Sequence, residues 1–126
     1  MKIFGIGTDI IKIDRIRKSM KRKSFVNRLF NENEIIKCKK LKYSFNCFAK
    51  RFAAKEAFSK ALGTGIAKGI NFNEIIILNE KNGRPFIRLI QNTKKNVEKK
   101  IKKKFKISLS LTDEKKYAVA FVTISI

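Results

Sequence analysis

The chain of 126 residues has no histidine, no tryptophan, one proline and two cysteines. Without histidine, the protein lacks the commonest general base and the commonest ligand for transition metals. Acid–base chemistry must therefore use carboxylates, lysine, cysteine, tyrosine or metal-bound water. Only three aspartates are present, Asp9, Asp14 and Asp113. Each carboxylate in an apolar context is thus a candidate for a functional role.

Long apolar runs and a framework of cysteines are also missing. The longest apolar runs, such as 75–78, are too short to cross a bilayer. The N-terminus has no basic region followed by a long apolar stretch, so we expect no signal peptide and no membrane association. Cys38 and Cys47 have no framework spacing, which favours reduced thiols in a cytoplasmic protein, although the sequence also allows one disulfide.

Positive charge is abundant, with 31 Lys and Arg against 10 Asp and Glu and a formal net charge of +21. Such a surface attracts nucleic acid, acidic membranes, acidic proteins or phosphorylated small molecules. The abundance of lysine, isoleucine and asparagine is also what an AT-rich genome produces, so charge alone identifies no partner. The length suits a single domain over 1–126, and a hydrophobic content of 44% is enough for a core.

The pattern of apolar residues predicts an α+β fold, in which an antiparallel sheet of about five strands packs on one long helix and several shorter ones. Asp14 and Asn31 are predicted helix caps, the second in a capping box with Glu34. A hairpin turn is predicted at Asn82-Gly83. The predicted strands are 3–13, 74–79, 85–90, 106–112 and 117–126, and the predicted helical segments are 14–20, 25–29, 31–42, 45–62 and 92–104.

Two segments could carry chemistry. Asp9 lies in an apolar strand, where a carboxylate needs a cationic partner or a bound cation, although it could instead cap the following turn. On the long helix, Glu56 and Lys60 share a face, although they could simply form a helical ion pair. Taken together, Asp9 and Glu56 could hold Mg²⁺, with Lys55 and Lys60 meeting phosphate oxygens.

The chain resembles the bacterial holo-acyl-carrier-protein synthases, which are 4′-phosphopantetheinyl transferases. The resemblance runs along essentially the whole chain, and its most specific part is the F-x-x-K-E-x-x-x-K helix with the G-T-G-I turn that follows it. The matching segments are Gly5 to Ile10, Arg15-Ile16, Ala49 to Ala57, Lys60 to Ile66, Asn82 to Pro85, Leu111 to Glu114 and Tyr117-Ala118.

The resemblance implies transfer of phosphopantetheine from coenzyme A to a serine of an acyl-carrier protein, in support of fatty acid biosynthesis and with release of adenosine 3′,5′-bisphosphate. It implies Mg²⁺ on Asp9 and Glu56, and a homotrimer with active sites between subunits. It also implies that the acidic carrier docks on the basic first helix. The expected docking residues are Arg15, Arg17, Lys18, Lys21, Arg22 and Arg28.

Specific roles follow for the residues near the expected metal. The base that takes the serine proton would be metal-bound water or Glu56, and Lys60 would stabilise transition-state charge or protonate the leaving phosphate. Arg51 and Lys55 are candidates for contacts with phosphate or the carrier. The backbone N–H groups of Gly63, Thr64 and Gly65 could bind phosphate, although this turn could equally serve only to end the helix.

One position departs from the family pattern. Relatives commonly have a histidine near the substrate where this chain has Ser108, which can donate a hydrogen bond to phosphate but cannot titrate near neutral pH. The alternative function is that of a small RNA-binding or ribosome-associated α+β protein, which the charge and size would fit. Against nucleic acid, many of the aromatic residues lie on the predicted long helix rather than on strands, and paired acids would repel phosphate without a metal.

Overall fold

The computed structural model describes residues 1–65 and 69–126. Five strands, five helices and a short 3₁₀ turn follow one another along this part of the chain. The strands are β1 Ile3–Lys12, β2 Ile75–Asn79, β3 Pro85–Leu89, β4 Lys106–Asp113 and β5 Tyr117–Ser125. The helices are α1 Ile13–Ser19, α2 Lys23–Leu29, α3 Glu32–Lys39, α4 Ser44–Leu62 and α5 Gln91–Ile101, and the 3₁₀ turn is Phe72–Glu74.

The α+β class is confirmed, but the described strands form two antiparallel sheets rather than one. The larger sheet has the order β1-β5-β4, and β2 pairs with β3 alone. The second sheet is a local hairpin in which the Gly83 N–H donates to the Glu80 carbonyl and Gly83 has a φ of 91°. Alternation along a strand shows that one face is buried, but it does not say which strand lies alongside.

The long helix α4 is central and packs directly on β1. A side chain at Gly5 would place its Cβ 1.8 Å from the Ala61 carbonyl oxygen, and one at Gly7 would place it 1.9 Å from the Ala57 carbonyl oxygen. Only glycine permits this close approach of strand and helix. Because the contact fixes α4 along β1, it also fixes which α4 side chains lie beside the end of the strand.

Helix ends agree with the sequence in some places and differ in others. The capping box of Asn31 and Glu34 is present, and Gly63 ends α4 in the left-handed region with a φ of 86°. Asp14 is not the cap of α1, since that helix begins at Ile13 and Asp14 lies in its first turn beside Arg17. None of the helices within 1–65 and 69–126 is both long and apolar enough to span a membrane.

The cysteines are not the reduced thiols that the sequence favours. Cys38 near the end of α3 and Cys47 in the first turn of α4 form a disulfide, and both residues are buried. The short turn between α3 and α4 brings the two positions together, with a Cα–Cα distance of 5.5 Å. Spacing alone could not reveal this proximity, because it depends on how the two helices pack.

Candidate active site

Asp9 and Glu56 meet at the contact between β1 and α4. Asp9 is on the inner face of the large sheet, opposite Ala120 in the register, with 16% of its side chain exposed. The Lys60 ammonium donates to the Asp9 carboxylate at 3.2 Å and to the Thr8 carbonyl at 2.9 Å. The structure therefore brings Asp9, Glu56 and Lys60 together, and it pairs Lys60 with Asp9 across the two elements.

The two carboxylates are in an unfavourable environment for negative charge. Burial raises the pKa of Asp9, an effect that Lys60 and Arg15 partly offset. Burial, followed by the nearby charge of Asp9, raises the pKa of Glu56. Two half-buried acids that repel each other gain stability from a bound cation, and this electrostatic need fits a divalent metal ion.

The donor set is small. Within the described part of the chain, no group of three or more His, Cys, Asp or Glu side chains could hold a metal ion. Asp9 and Glu56 therefore stand as a pair of oxygen ligands without further protein carboxylates. Mg²⁺ is commonly held in this way, by one or two carboxylates together with water and substrate phosphates.

Glu56 borders an open cleft of about 830 Å³, which we call the substrate cleft. Phe52 and Glu56 of α4 line one part of the cleft, and the 3₁₀ turn lines another part. The Phe52 and Phe72 rings meet edge to face across it, with centroids 6.3 Å apart. Arg28, one of the expected docking residues, borders the same cleft. Glu56 and one residue of the basic surface, Arg28, therefore line the same cleft.

Lys55 does not reach this site, contrary to the sequence expectation. Its side chain is fully buried, and its ammonium pairs with the Glu34 carboxylate at 2.7 Å. It also donates to the carbonyls of Phe72 and Ile75 at 2.7 and 2.6 Å. Burial, opposed by Glu34, lowers the pKa of Lys55 to about 8. Because all three donors are occupied, Lys55 is not a phosphate ligand.

Arg51 is separate from the acid pair as well. Its buried guanidinium donates to the Cys47 sulfur and to the Asn79 side chain, both at 3.1 Å. Its Nε has no hydrogen-bond partner among the described residues. Arg51 lines a different, basic cleft of about 470 Å³, together with Lys37 and Lys42.

The glycine turn after α4 functions as a helix end. The N–H groups of Thr64 and Gly65 both donate to the Ser59 carbonyl, at 3.3 and 3.2 Å, and the Gly63 N–H donates to the Lys60 backbone carbonyl. These N–H groups are already bonded, so the structure favours the helix-ending role over phosphate binding. Ile66, the last residue of the motif, lies outside the described residues.

Ser108 lies on the outer face of the larger sheet, whereas Asp9 lies on the inner face, which packs on α4. It pairs with Thr123 in the register of β4 and β5. The outer face of β1 and β5 exposes Ile6, Ile10 and Phe121, at 62, 63 and 45%. Within one chain, Ser108 is therefore not part of the site formed by Asp9 and Glu56.

The six expected docking residues are all exposed and lie on or next to α1 and α2. Asp14 pairs with both Arg17 and Lys18, which lowers the charge that these two present. Arg22 lies over the Phe25 ring, 5.7 Å from its centroid. Arg15 remains on this surface close enough to lower the pKa of Asp9. Sequence reasoning missed Asp14 as a competitor and Glu34 as the partner of Lys55.

Comparison with known proteins identifies the class of this fold and site. The family model described as the 4′-phosphopantetheinyl transferase superfamily matches residues 5–122. The holo-[acyl-carrier-protein] synthase of Pelagibacter ubique is 47% identical over 123 residues, which cover 97% of this chain and 96% of that protein.

Solved structures agree. The holo-[acyl-carrier-protein] synthase of Neisseria meningitidis superposes with a TM-score of 0.87 at 36% identity, over 98% of this chain and 99% of that one. The holo-(acyl-carrier-protein) synthase of Bacillus anthracis, in complex with CoA (3′,5′-ADP), has a TM-score of 0.81 at 36% identity, over 98% and 97% of the two chains. The chain therefore belongs to the 4′-phosphopantetheinyl transferase superfamily and, within it, to the holo-[acyl-carrier-protein] synthases.

Proposed function

We propose that the protein transfers 4′-phosphopantetheine from coenzyme A to a serine of an apo-acyl-carrier protein, in support of fatty acid biosynthesis. The observation that carries this proposal is the meeting of Asp9, Glu56 and Lys60 beside the substrate cleft. The holo-acyl-carrier-protein synthases that share this fold match nearly the full chain, and the Bacillus anthracis protein was solved with CoA (3′,5′-ADP).

The acid pair is proposed to hold Mg²⁺. Asp9 and Glu56 fit this ion because both are oxygen ligands, both have raised pKa values and each repels the other. When bound, Mg²⁺ would offset the negative charge of the pyrophosphate in coenzyme A.

The remaining steps are assigned to the chain's own groups. The carrier serine oxygen attacks the pantetheine-side phosphorus, and the bond from that phosphorus to the bridging oxygen breaks to release adenosine 3′,5′-bisphosphate. Glu56 accepts the serine proton, since its raised pKa makes it a better base than an exposed glutamate. The Lys60 ammonium stabilises the charge of the leaving phosphate, because it lies beside Asp9 and the Thr8 carbonyl and Asp9 occupy only two of its three donors.

Carrier docking is proposed on the exposed cations of α1 and α2. Arg15 is the leading candidate, since Asp14 engages its neighbours Arg17 and Lys18 instead. An acidic carrier held there would bring its serine into the substrate cleft past Arg28. The cytoplasmic location is proposed from the sequence prediction. Cell fractionation tests this location, and thiol trapping of Cys38 and Cys47 reports its redox state.

A homotrimer with sites between subunits is also proposed. It is supported by the apolar side chains on the outer face of the large sheet, a patch that favours coverage by another protein surface. Ser108 lies on that same face, so it could approach a site only in a neighbouring copy. Light scattering should give three times the chain mass of 14.6 kDa. Phe121→Lys should dissociate the assembly and reduce transfer.

The activity is tested directly by mass spectrometry. Apo-carrier is incubated with the protein, coenzyme A and Mg²⁺, and the carrier should gain one phosphopantetheine group. A carrier whose acceptor serine is replaced by alanine should gain nothing, and neither should a reaction with excess EDTA. An unchanged mass for the intact carrier would overturn the proposal. Tight, steeply salt-dependent binding to random RNA would instead support the RNA-binding alternative.

A further inference from the structure

The Lys55–Glu34 pair connects four separate segments at one buried point. Lys55 on α4 donates to Glu34 at 2.7 Å, to the Phe72 carbonyl at 2.7 Å and to the Ile75 carbonyl at 2.6 Å. An ammonium has three donors, so none remains for a ligand. The two carbonyls belong to the 3₁₀ turn and to the start of β2.

Glu34 is as fully engaged as its partner. One of its carboxylate oxygens accepts from the Asn31 N–H at 3.0 Å as well as from Lys55. The other oxygen accepts from the Ile77 N–H at 3.0 Å. Glu34 therefore caps α3, neutralises Lys55 and anchors β2 at the same time. It does not border the substrate cleft.

The elements joined in this way, α4 and the 3₁₀ turn, both line the substrate cleft. Lys55 immediately precedes the lining residue Glu56, and the carbonyl that it binds belongs to the lining residue Phe72. The far side of the 3₁₀ turn is also held, since the Glu74 carboxylate accepts from the Thr93 N–H and hydroxyl at 3.1 and 2.8 Å. The turn is thus fixed from both sides.

We propose that Lys55 is a positioning residue for the transfer reaction, which holds the 3₁₀ turn against α4 and so sets the width of the substrate cleft. The inference rests on the proposed function, because it concerns access of the carrier serine to Glu56. Lys55 acts through the Phe72 carbonyl and Glu34, without touching substrate.

Glu34→Gln is the sharpest test because Glu34 lies outside the cleft. Glutamine has one acceptor oxygen and one donor nitrogen, so it cannot accept from Ile77 and from Lys55 together. We expect the KM for carrier protein to rise and kcat/KM to fall by about tenfold to a hundredfold, the order of loss that a small misplacement of reacting groups can cause. Glu32→Gln, an exposed acid on the same helix, is the matched control and should behave as wild type.

Hydrogen exchange provides a measurement that does not depend on activity. In Glu34→Gln, amides of peptides spanning residues 72–77 should exchange faster, whereas those of β5 should not change. A raised KM without faster exchange would overturn the proposal, because Lys55 or Glu34 would then act on the substrate directly. A wild-type KM with wild-type exchange would overturn it too. If Lys55 were a phosphate ligand, loosening it from Glu34 should leave or improve coenzyme A binding.

A second variant avoids the cost of an unpaired buried charge. Glu34→Met with Lys55→Met replaces both members of the pair by apolar side chains, which buried pairs often tolerate. It should fold, yet show the same raised KM and faster exchange at the 3₁₀ turn. Wild-type values for both would contradict the proposal. If the wild-type protein transferred nothing, the proposed function would fail, and the exchange measurement would still decide whether the pair holds the turn.

Discussion

Lys55 and Glu56 are neighbours on α4, yet their surroundings are opposite. Lys55 is fully buried with every donor occupied, whereas Glu56 is half-buried, lies near the charge of Asp9 and opens on the cleft. The charge of Lys55 is satisfied within the fold, so Lys55 is not available to a ligand. Glu56 is available for chemistry because its charge is not satisfied. Charged groups without a full set of partners, held in a rigid framework, are typical of functional sites.

The strongest way to break this contrast is to neutralise Glu56. Glu56→Gln should lower transfer by more than about a hundredfold, because the proposed metal loses one of two protein ligands. Initial rates at saturating coenzyme A and Mg²⁺ measure this effect. Glu98→Gln, which removes an exposed acid from α5, is the control and should retain the wild-type rate. A near-normal rate at low Mg²⁺ would remove Glu56 from the site.

Although Glu56→Gln should lower activity, it should raise the stability of the metal-free protein near neutral pH. The pKa of Glu56 is raised in the folded state, so the fold holds this proton more tightly than the unfolded chain does. Stability is therefore lost as pH rises through the window above the ordinary value of 4.5. In EDTA near neutral pH, Glu56→Gln should have a higher Tm than wild type, and the difference should vanish below about pH 4.

The next largest fall in transfer rate is expected when α4 is moved away from β1, because Glu56 lies on α4 and Asp9 lies on β1. Gly7→Ala would place a Cβ 1.9 Å from the Ala57 carbonyl oxygen and 2.8 Å from the Ala61 nitrogen, so α4 must shift from β1. We expect a loss of about 1–3 kcal/mol in the free energy of unfolding and a fall in kcat of about tenfold or more. Denaturant titration and rate measurements test both effects.

Gly83→Ala is the control for backbone strain. Gly83 has a φ of 91° but no atom within 4 Å of the added Cβ. This change should cost about 1 kcal/mol of stability and leave kcat unchanged at temperatures where the protein is folded. An active, stable Gly7→Ala protein would show that the close approach of strand and helix does not set the site.

A smaller effect is expected at the docking surface. Arg15→Glu should raise the KM for carrier protein far more than the KM for coenzyme A, because charge pairing at an exposed surface steers the partner rather than the small substrate. Added salt should weaken wild-type carrier binding. Lys99→Glu, the same reversal on α5, should have a much weaker effect. Equal changes in both KM values would move Arg15 into the coenzyme A site or the fold.

The smallest effect is expected at Ser108. Ser108→His should change kcat/KM only modestly, since this residue lies on the outer face of the sheet and not beside Glu56 of its own chain. The new imidazole should add a titration near the reference pKa of about 6.5. Profiles of kcat/KM against pH for the wild-type protein and Ser108→His measure both the change in kcat/KM and the added titration. A large gain would mean that serine impairs this chain, and identical profiles would exclude position 108 from the reacting groups.

Local patterns predicted much of this molecule. The capping box at Asn31, the hairpin at Gly83 and the end of α4 at Gly63 depend on nearby residues and were predictable. That Asp9 and Glu56 could share one Mg²⁺ site was raised as a possibility from the two segments together, and the family resemblance implied it.

What the sequence left undecided depends on distant packing. Lys55 and Lys60 look alike in sequence, yet only Lys60 is near Asp9, because Glu34 and two carbonyls surround Lys55. The same limit explains the division into two sheets and the Cys38–Cys47 bond. Each depends on which elements become neighbours, and periodicity along one element does not contain that information.

The contact of Gly5 and Gly7 with α4 limits which substitutions these two positions can accept. The chain has only six glycines, and two of them lie where a helix carbonyl touches the strand backbone. Every other amino acid adds at least one carbon in a space that is already filled. Surface lysines can be exchanged one at a time with gradual effects, whereas these two positions have no intermediate substitution. Any substitution at Gly5 or Gly7 therefore changes the distance between β1 and α4, and with it the geometry of the acid pair.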